Sequence, residues 1–337
     1  MADSKQNVER LVAGDFRGLT LPRGVFYWSG RAKKEAEINA TIGTAMAREC
    51  DFLRSASKKP VICYLPTLQK ILTSLTPDAT YPYAPIAGLP RFRSNWKKWV
   101  LHKAGKRRAL PEELVAEPVV VPGVTAGLAL LANLLLSKGE KIVCADSRWE
   151  NYDLLFEGNC GLKIVSHRLF EGGKLDAAGF RDALNEAANE EGKVAAVLNF
   201  PNNPTGYMPR DGETKRLVKA VLEAADAGRR VILIFDDAYD GFVYDPAVGR
   251  YSLFPEFVNL HPNVYPFKVD GVSKEFLFYG GRVACITAGI HEAWGEPAEW
   301  ADAMVDKLSA LIRGRLSNCS HPVQEAVARA LDDPKAL

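Results

Sequence analysis

From residue 118 onward, short apolar runs alternate with longer segments whose apolar positions recur at helical spacing. "EPVVVPG" (117–123) reads as a strand, and "VTAGLALLANLLLSKGE" (124–140) as an apolar helix with Gly139 near its end. "KIVCAD" (141–146) is the next strand, then a short helix over "ENYDLLFEGN" (150–159) and a strand within "LKIVSHRLF" (162–170). "DAAGFRDALNEAANEEG" (176–192) has an amphipathic helical pattern. The strands "KVAAVLNF" (193–200) and "RRVILIFDD" (229–237) flank a helix over 211–228. Apolar strands alternating with helices predict an α/β fold with a parallel or mainly parallel sheet covered on both faces. Ligands of such sheets sit at the carboxyl ends of the strands.

The amino-terminal part is patterned differently. Residues 1–37 are polar and broken by "LPRG" and "WSG", which suggests an arm wrapping a neighbour rather than a core element. "EINATIGTAM" (37–46) predicts a short strand turning at Gly43, with helical residues over about 45–55 and 66–75 beyond it.

The chain has 337 residues, 47% hydrophobic and 25% charged, so it can bury one large core or two ordinary domains. A net charge of +2 gives no reason to invoke nucleic acid or an anionic membrane. The local basic group Lys103, Lys106, Arg107 and Arg108 reads as a solvated face. No apolar run approaches the roughly 20 residues of a membrane span, and the first residues lack the plan of a secretory signal. The six cysteines (Cys50, Cys63, Cys144, Cys160, Cys285 and Cys319) are scattered without metal-type pairs. They read as reduced core thiols of a cytoplasmic protein.

The candidate chemistry gathers around "VDGVSKEFLFYGGRVACITAG" (269–289), which sets Lys274 directly after Ser273 and Arg282 eight residues further on. Upstream lie an apolar strand ending in acid, "VILIFDDAYDGF" (231–242), and an Asn/Pro/Gly turn, "NFPNNPTGYMP" (199–209). An amine whose pKa burial can lower, a buried carboxylate and an anion-binding arginine suit a Schiff-base cofactor bearing a phosphate and a pyridine nitrogen. The turn "PGVTAG" (122–127) between strand and helix adds a second anion site, with Thr125 as a candidate N-cap.

These strings, in this order, resemble the fold-type-I pyridoxal-phosphate (PLP) enzymes, most closely the aspartate aminotransferase-like class I/II aminotransferases. The resemblance covers about 38 to 331. It implies a mainly parallel, seven-stranded sheet flanked by helices in a large PLP-binding domain, residues 76–312, plus part of a smaller domain. Residues 1–75 would be the arm and a small-domain segment, and 313–337 the start of a carboxyl-terminal small domain. Lys274 would hold the cofactor as a Schiff base and move the substrate proton. Asp236 would face the pyridine nitrogen, chosen over Asp237 by the pattern "D-x-A-Y" and by strand alternation. Asn203 in "NNPTG" and Tyr239 would bond the ring oxygen, and Trp149 in "SRWENY" would stack on the ring.

Val124 and Thr125 would take the phosphate with Ser273 and Arg282. Gly271 stands where many relatives carry serine, so one hydroxyl contact is expected to be missing. Tyr83 in "YAPIAG" would reach the phosphate of a partner subunit, which implies a homodimer with shared sites. Gly43 would bring its backbone to the substrate, and Asn203 would contact the substrate as well as the ring. Arg313 sits where dicarboxylate-specific relatives recognise the substrate side chain, or else it is a helix C-terminal charge. No residue matches the family's arginine for the substrate α-carboxylate, and the ending "DDPKAL" reads as truncation of a longer protein.

The activity implied is transfer of an amino group between an amino acid and a 2-oxo acid. A PLP-dependent lyase or decarboxylase is the first alternative, and a non-catalytic cofactor-sensing module the second. No metal is implied.

Overall fold

The computed structural model describes residues 4–22, 24–37, 39, 41, 43–47 and 61–333. Its centre is a seven-stranded sheet. The strands are β1 (Val119–Val121), β2 (Lys141–Ala145), β3 (Lys163–His167), β4 (Lys193–Leu198), β5 (Arg230–Asp236), β6 (Val264–Gly271) and β7 (Ala284–Ala288). They lie in the order β1-β7-β6-β5-β4-β2-β3. The pairs β3/β2, β2/β4, β4/β5 and β5/β6 are parallel, while β7 runs antiparallel to both of its neighbours. The expected mainly parallel sheet is therefore present.

Its strands are apolar throughout because each face meets a separate core. On β4 and β5, Ala196, Leu198, Leu233 and Phe235 enter one core, which contains helices α6 (Ala177–Ala187) and α7 (Asp211–Asp226). Their neighbours Ala195, Val197, Ile232 and Ile234 enter the other, with α5 (Val124–Leu135) and α9 (Pro297–Arg315). Alternation along one strand thus serves two apolar layers.

A third core joins α3 (Pro66–Thr73), α4 (Pro90–Ala104) and α10 (His321–Asp332) to Val120 and Cys285 on the sheet. Cys63, Cys144, Cys160, Cys285 and Cys319 are buried, and burial pushes the Cys144 thiol up to about 12.

Several expectations change. The amino-terminal arm is not broken throughout: it contains α1 (Ser4–Leu11) and α2 (Val25–Glu35). It also rests on its own chain, through an Asp15–Lys138 ion pair of 2.6 Å and a 2.8 Å hydrogen bond from the Val25 amide to Glu150. The expected helix over 45–55 begins instead as extended chain, Met46–Ala47 pairing antiparallel with Val61–Ile62. The rest of that helix, and Cys50, lie outside the described residues. The short helix after β2 takes wider turns over Asp153–Asn159.

The basic group at 103–108 is a solvated face only in part: Lys106 and Arg108 are exposed, whereas Lys103 is buried and Arg107 half-buried. The Lys103 side chain is 2% exposed, and Arg107 and Arg108 donate to main-chain carbonyls at Tyr251 and Pro255.

Candidate active site

The candidate residues stand at one edge of the sheet, where β1, β4, β5 and β6 end and the antiparallel β7 begins. β5 ends in Asp236, whose carboxylate is buried and accepts from the Tyr152 hydroxyl and, at 3.2 Å, from the Ala238 amide. Burial pushes the Asp236 pKa up, and the Tyr152 and Ala238 hydrogen bonds oppose it. Burial and the Asp236 charge in turn keep the Tyr152 phenol protonated as a donor.

Asp237 points the other way. Its carboxylate takes a 2.5 Å bond from the Lys268 ammonium and one of the same length from the Ser252 hydroxyl. The alternation that selects Asp236 is thus what the backbone provides.

Lys274 lies on the single-turn helix α8 (Val272–Glu275) that follows β6 directly. Its amine donates to the Gly43 carbonyl at 2.7 Å and faces the rings of Tyr239 and Tyr279, at 5.4 and 5.2 Å. Burial, and then the charge of Arg282, hold the Lys274 pKa below the ordinary lysine value. A larger share of the amine is then neutral and nucleophilic at physiological pH. A Cβ on Gly43 would meet the Tyr239 hydroxyl at 3.2 Å and the Lys274 amine at 3.5 Å.

Arg282, in the left-handed region at φ 50°, donates to Ser273 Oγ at 3.4 Å. Its guanidinium also lies against Gly123, where an added Cβ would sit 2.1 Å from Nη2. Gly123 has φ 95° and is the N-cap of α5, without a side-chain cap. The N-cap is therefore Gly123 and not Thr125. The helix begins at Val124, so the amides of Val124 and Thr125 lie in its first turn beside the guanidinium.

The other candidates are placed less tightly. The Asn203 amide donates to Asn199 Oδ1 at 2.7 Å, and Asn199 Nδ2 donates to the Asp236 carbonyl at 2.8 Å. Asn203 is thereby tied to the end of β5. Trp149 meets Tyr152 edge to face at 5.8 Å. Tyr83 is 87% exposed, and none of the hydrogen bonds joining the other candidates reaches it. Arg313 donates to Ser317 Oγ at 2.7 Å just past the end of α9, which suits a helix C-terminal charge. A serine at position 271 would not fit, since a Cβ there would meet the Ala284 Cβ at 2.6 Å.

The profile of the family described as "Aminotransferase class I and II" matches residues 51–337. The chain belongs to the class I and II aminotransferase family. It is 26% identical over 260 residues to the "Probable aspartate/prephenate aminotransferase" of Aquifex aeolicus, covering 75% of this chain and 57% of that protein. To the cytoplasmic aspartate aminotransferase of Gallus gallus it is 25% identical, covering 80% of this chain and 64% of the relative. The chain thus spans somewhat more than half the length of these curated relatives. In fold it is similar to an aminotransferase from Anaerococcus prevotii, with a TM-score of 0.80, 22% identity, and coverage of 96% of this chain and 77% of that one.

Within this family member, Tyr152, Asn199 and Tyr279 join the site without having been singled out in the sequence. Tyr152 follows Trp149 by three residues, one helical turn, which was a usable signal. Tyr279 lies in the loop after Lys274, and its hydroxyl accepts from the Ala45 amide at 2.9 Å. That contact spans most of the chain and leaves no local pattern.

Proposed function

We propose that this chain is a PLP-dependent aminotransferase, moving an amino group between an amino acid and a 2-oxo acid. One observation carries the reading. A lysine of lowered pKa, a buried carboxylate and a guanidinium beside a helix N-terminus stand at one edge of a single sheet.

The residues present fit the cofactor. Gly123, Val124, Thr125, Ser273 and Arg282 form a cradle for a phosphate, in which any side chain at 123 would displace Arg282. Asp236 would hold the pyridine nitrogen, and Asn203 and Tyr239 the ring oxygen. Trp149 would lie on the ring face. When bound, PLP supplies an aldehyde carbon that takes up amines and a ring that accepts electrons.

The chain's own part is to place and move protons. Lys274, whose charged form burial and then Arg282 disfavour, can attack a carbonyl carbon and carry a proton to or from the substrate Cα. Burial disfavours the charge on Asp236, and the hydrogen bond from Tyr152 steadies the charged form against it. Tyr239, whose pKa burial and Asp236 push up, stays a neutral hydrogen-bond donor beside that amine.

A cytoplasmic homodimer belongs to the same reading. The exposure of Tyr83 suits a contact with a second copy, and buried thiols suit a reducing compartment. No described helix is long and apolar enough to cross a membrane.

The test is to load the protein with PLP, reduce with borohydride, and map the labelled peptide. A label on Lys274, and steady transfer from an amino-donor panel to added 2-oxo acids, is the expected result. A label on another lysine would overturn the assignment. Release of ammonia or carbon dioxide without transfer would overturn the reaction.

A further inference from the structure

Beneath the site lies a buried group of charges. Lys268 Nζ reaches Asp237 at 2.5 Å, Asp240 at 2.9 Å and Asp270 at 3.4 Å. Lys103 Nζ, arriving from α4, reaches Glu275 at 2.9 Å, Asp240 at 3.0 Å and Asp270 at 3.6 Å. The side chains of both lysines are 2% exposed and those of the three aspartates 1%. Trp96 and Trp99 donate their indole N–H groups to Asp270 and Glu275, at 2.9 and 2.7 Å. Ser252 supplies its hydroxyl to Asp237 and its amide to Asp240.

Burying ion pairs is a poor way to gain stability, because the desolvation cost rivals the attraction gained. The arrangement makes more sense by position. Asp237, Asp240 and Glu275 directly follow Asp236, Tyr239 and Lys274 in the chain. Each residue assigned to the chemistry is therefore one peptide unit from a carboxylate held by a buried ammonium. We propose that Lys103 and Lys268 are positioning residues, clamping Asp236, Tyr239 and Lys274 from behind through the carboxylates that follow them.

The charge count agrees with a clamp whose members depend on one another. Two cations face four carboxylates. Burial pushes Asp237 up to about 7, with Lys268 opposing. Asp240, between both lysines, is instead held below the usual carboxylate range, since their charges outweigh its burial. Removing Lys268 strips Asp237 of the one cation it pairs with among the described residues, and Asp237 then takes up a proton and loses its grip.

The proposal rests on the function proposed above, so its test includes a measurement that needs neither cofactor nor turnover. In the full chain, Lys268→Met removes the ammonium but keeps an unbranched side chain. With PLP bound, kcat should fall about 30- to 100-fold while KM stays within about 3-fold, as for a misplaced reacting group. In cofactor-free protein, acetic anhydride labelling of Lys274 relative to the exposed Lys219, read by mass spectrometry, should rise at least about 3-fold as the amine leaves the Gly43 carbonyl.

A purely structural role is separated by Lys268→Met with Asp237→Asn, which removes one charge of each sign. The clamp requires that this pair regain melting temperature yet stay about 10-fold or more below wild type in kcat. It also carries the test if the single variant does not fold. An unchanged labelling ratio, a kcat within about 3-fold of wild type, or joint recovery of stability and kcat overturns the proposal. If wild-type protein itself takes up no PLP at Lys274, the proposed function fails instead. The labelling ratio then decides the clamp alone.

Discussion

Lys274 is held by opposite means on its two sides. Beneath it, Glu275, Asp237 and Asp240 sit in a buried ion cluster whose members share two ammonium groups and two indoles. Above it, the segment from Gly43 to Ala45 is joined by one bond from the Lys274 amine and one to the Tyr279 hydroxyl. Gly43 and Ala45 are exposed. A contact open to water exchanges with water at little net cost, whereas a buried charge that loses its partner pays its full desolvation. The sheet side therefore fixes where Asp236, Tyr239 and Lys274 stand, and the exposed segment above is free to yield.

The comparison is broken most severely at Asp236. On the proposed function, Asp236→Ala should lower kcat/KM by at least about 10³-fold, because the ring nitrogen would lose its buried counter-charge. Asp237→Asn, on the opposite face of the same chain, should cost no more than about 30-fold, since it keeps an acceptor for Ser252 and Lys268. Steady-state kinetics on both decides it. If Asp237→Asn is the more damaging, the roles of the two faces are reversed.

The same pair sharpens the comparison through pH. The folded pKa of Asp237, about 7, lies above that of an unfolded aspartate, so the native state holds the proton more tightly. Its contribution to stability is complete below about pH 4 and is lost as pH rises through 7. Melting temperature measured from pH 5 to 8 should fall less steeply for Asp237→Asn than for wild type. Parallel curves would show that Asp237 is ionised throughout.

How much of this was legible depended on whether a feature repeats locally. Strands β4 and β5 are apolar on both faces, so their runs marked a two-sided sheet. The choice of Asp236 followed from alternation and from "DDAY". What could not be read were partners distant in sequence. Lys103 stood in a basic run and looked solvated, and only the fold brings α4 onto Asp240, Asp270 and Glu275. The helices of the first 37 residues were hidden by glycine and proline punctuation; Asp15, in the turn between them, and Val25, at the start of α2, tie this part to Lys138 and Glu150. At Gly271 the missing serine was noticed, but its cause, the closeness of Ala284, is purely steric.

A third break concerns the electrostatics of Lys274. Its pKa is lowered first by burial and second by Arg282. Arg282→Gln removes only the second, so the pH midpoint for labelling Lys274 in cofactor-free protein should move upward, toward that of an ordinary lysine. An unmoved midpoint would mean that burial alone sets it. PLP affinity should fall in the same variant as the cradle loses its guanidinium.

The smallest effect is expected above the site, at Tyr279. Tyr279→Phe keeps the ring against the Lys274 amine and removes only the oxygen that accepts from the Ala45 amide. That amide is exposed, so water can replace the lost partner, and the net cost is about 0.5–1.5 kcal/mol. This corresponds to roughly a 2- to 10-fold change in an equilibrium constant. If that segment covers the substrate, the loss should appear in KM, with kcat within about 2-fold of wild type. Lys268→Met predicts the opposite split, a lowered kcat with KM nearly unchanged. Measured side by side with one substrate pair, the two variants oppose the yielding cover to the fixed platform. Should Tyr279→Phe lower kcat as much as Lys268→Met does, the segment above Lys274 would belong to the platform as well.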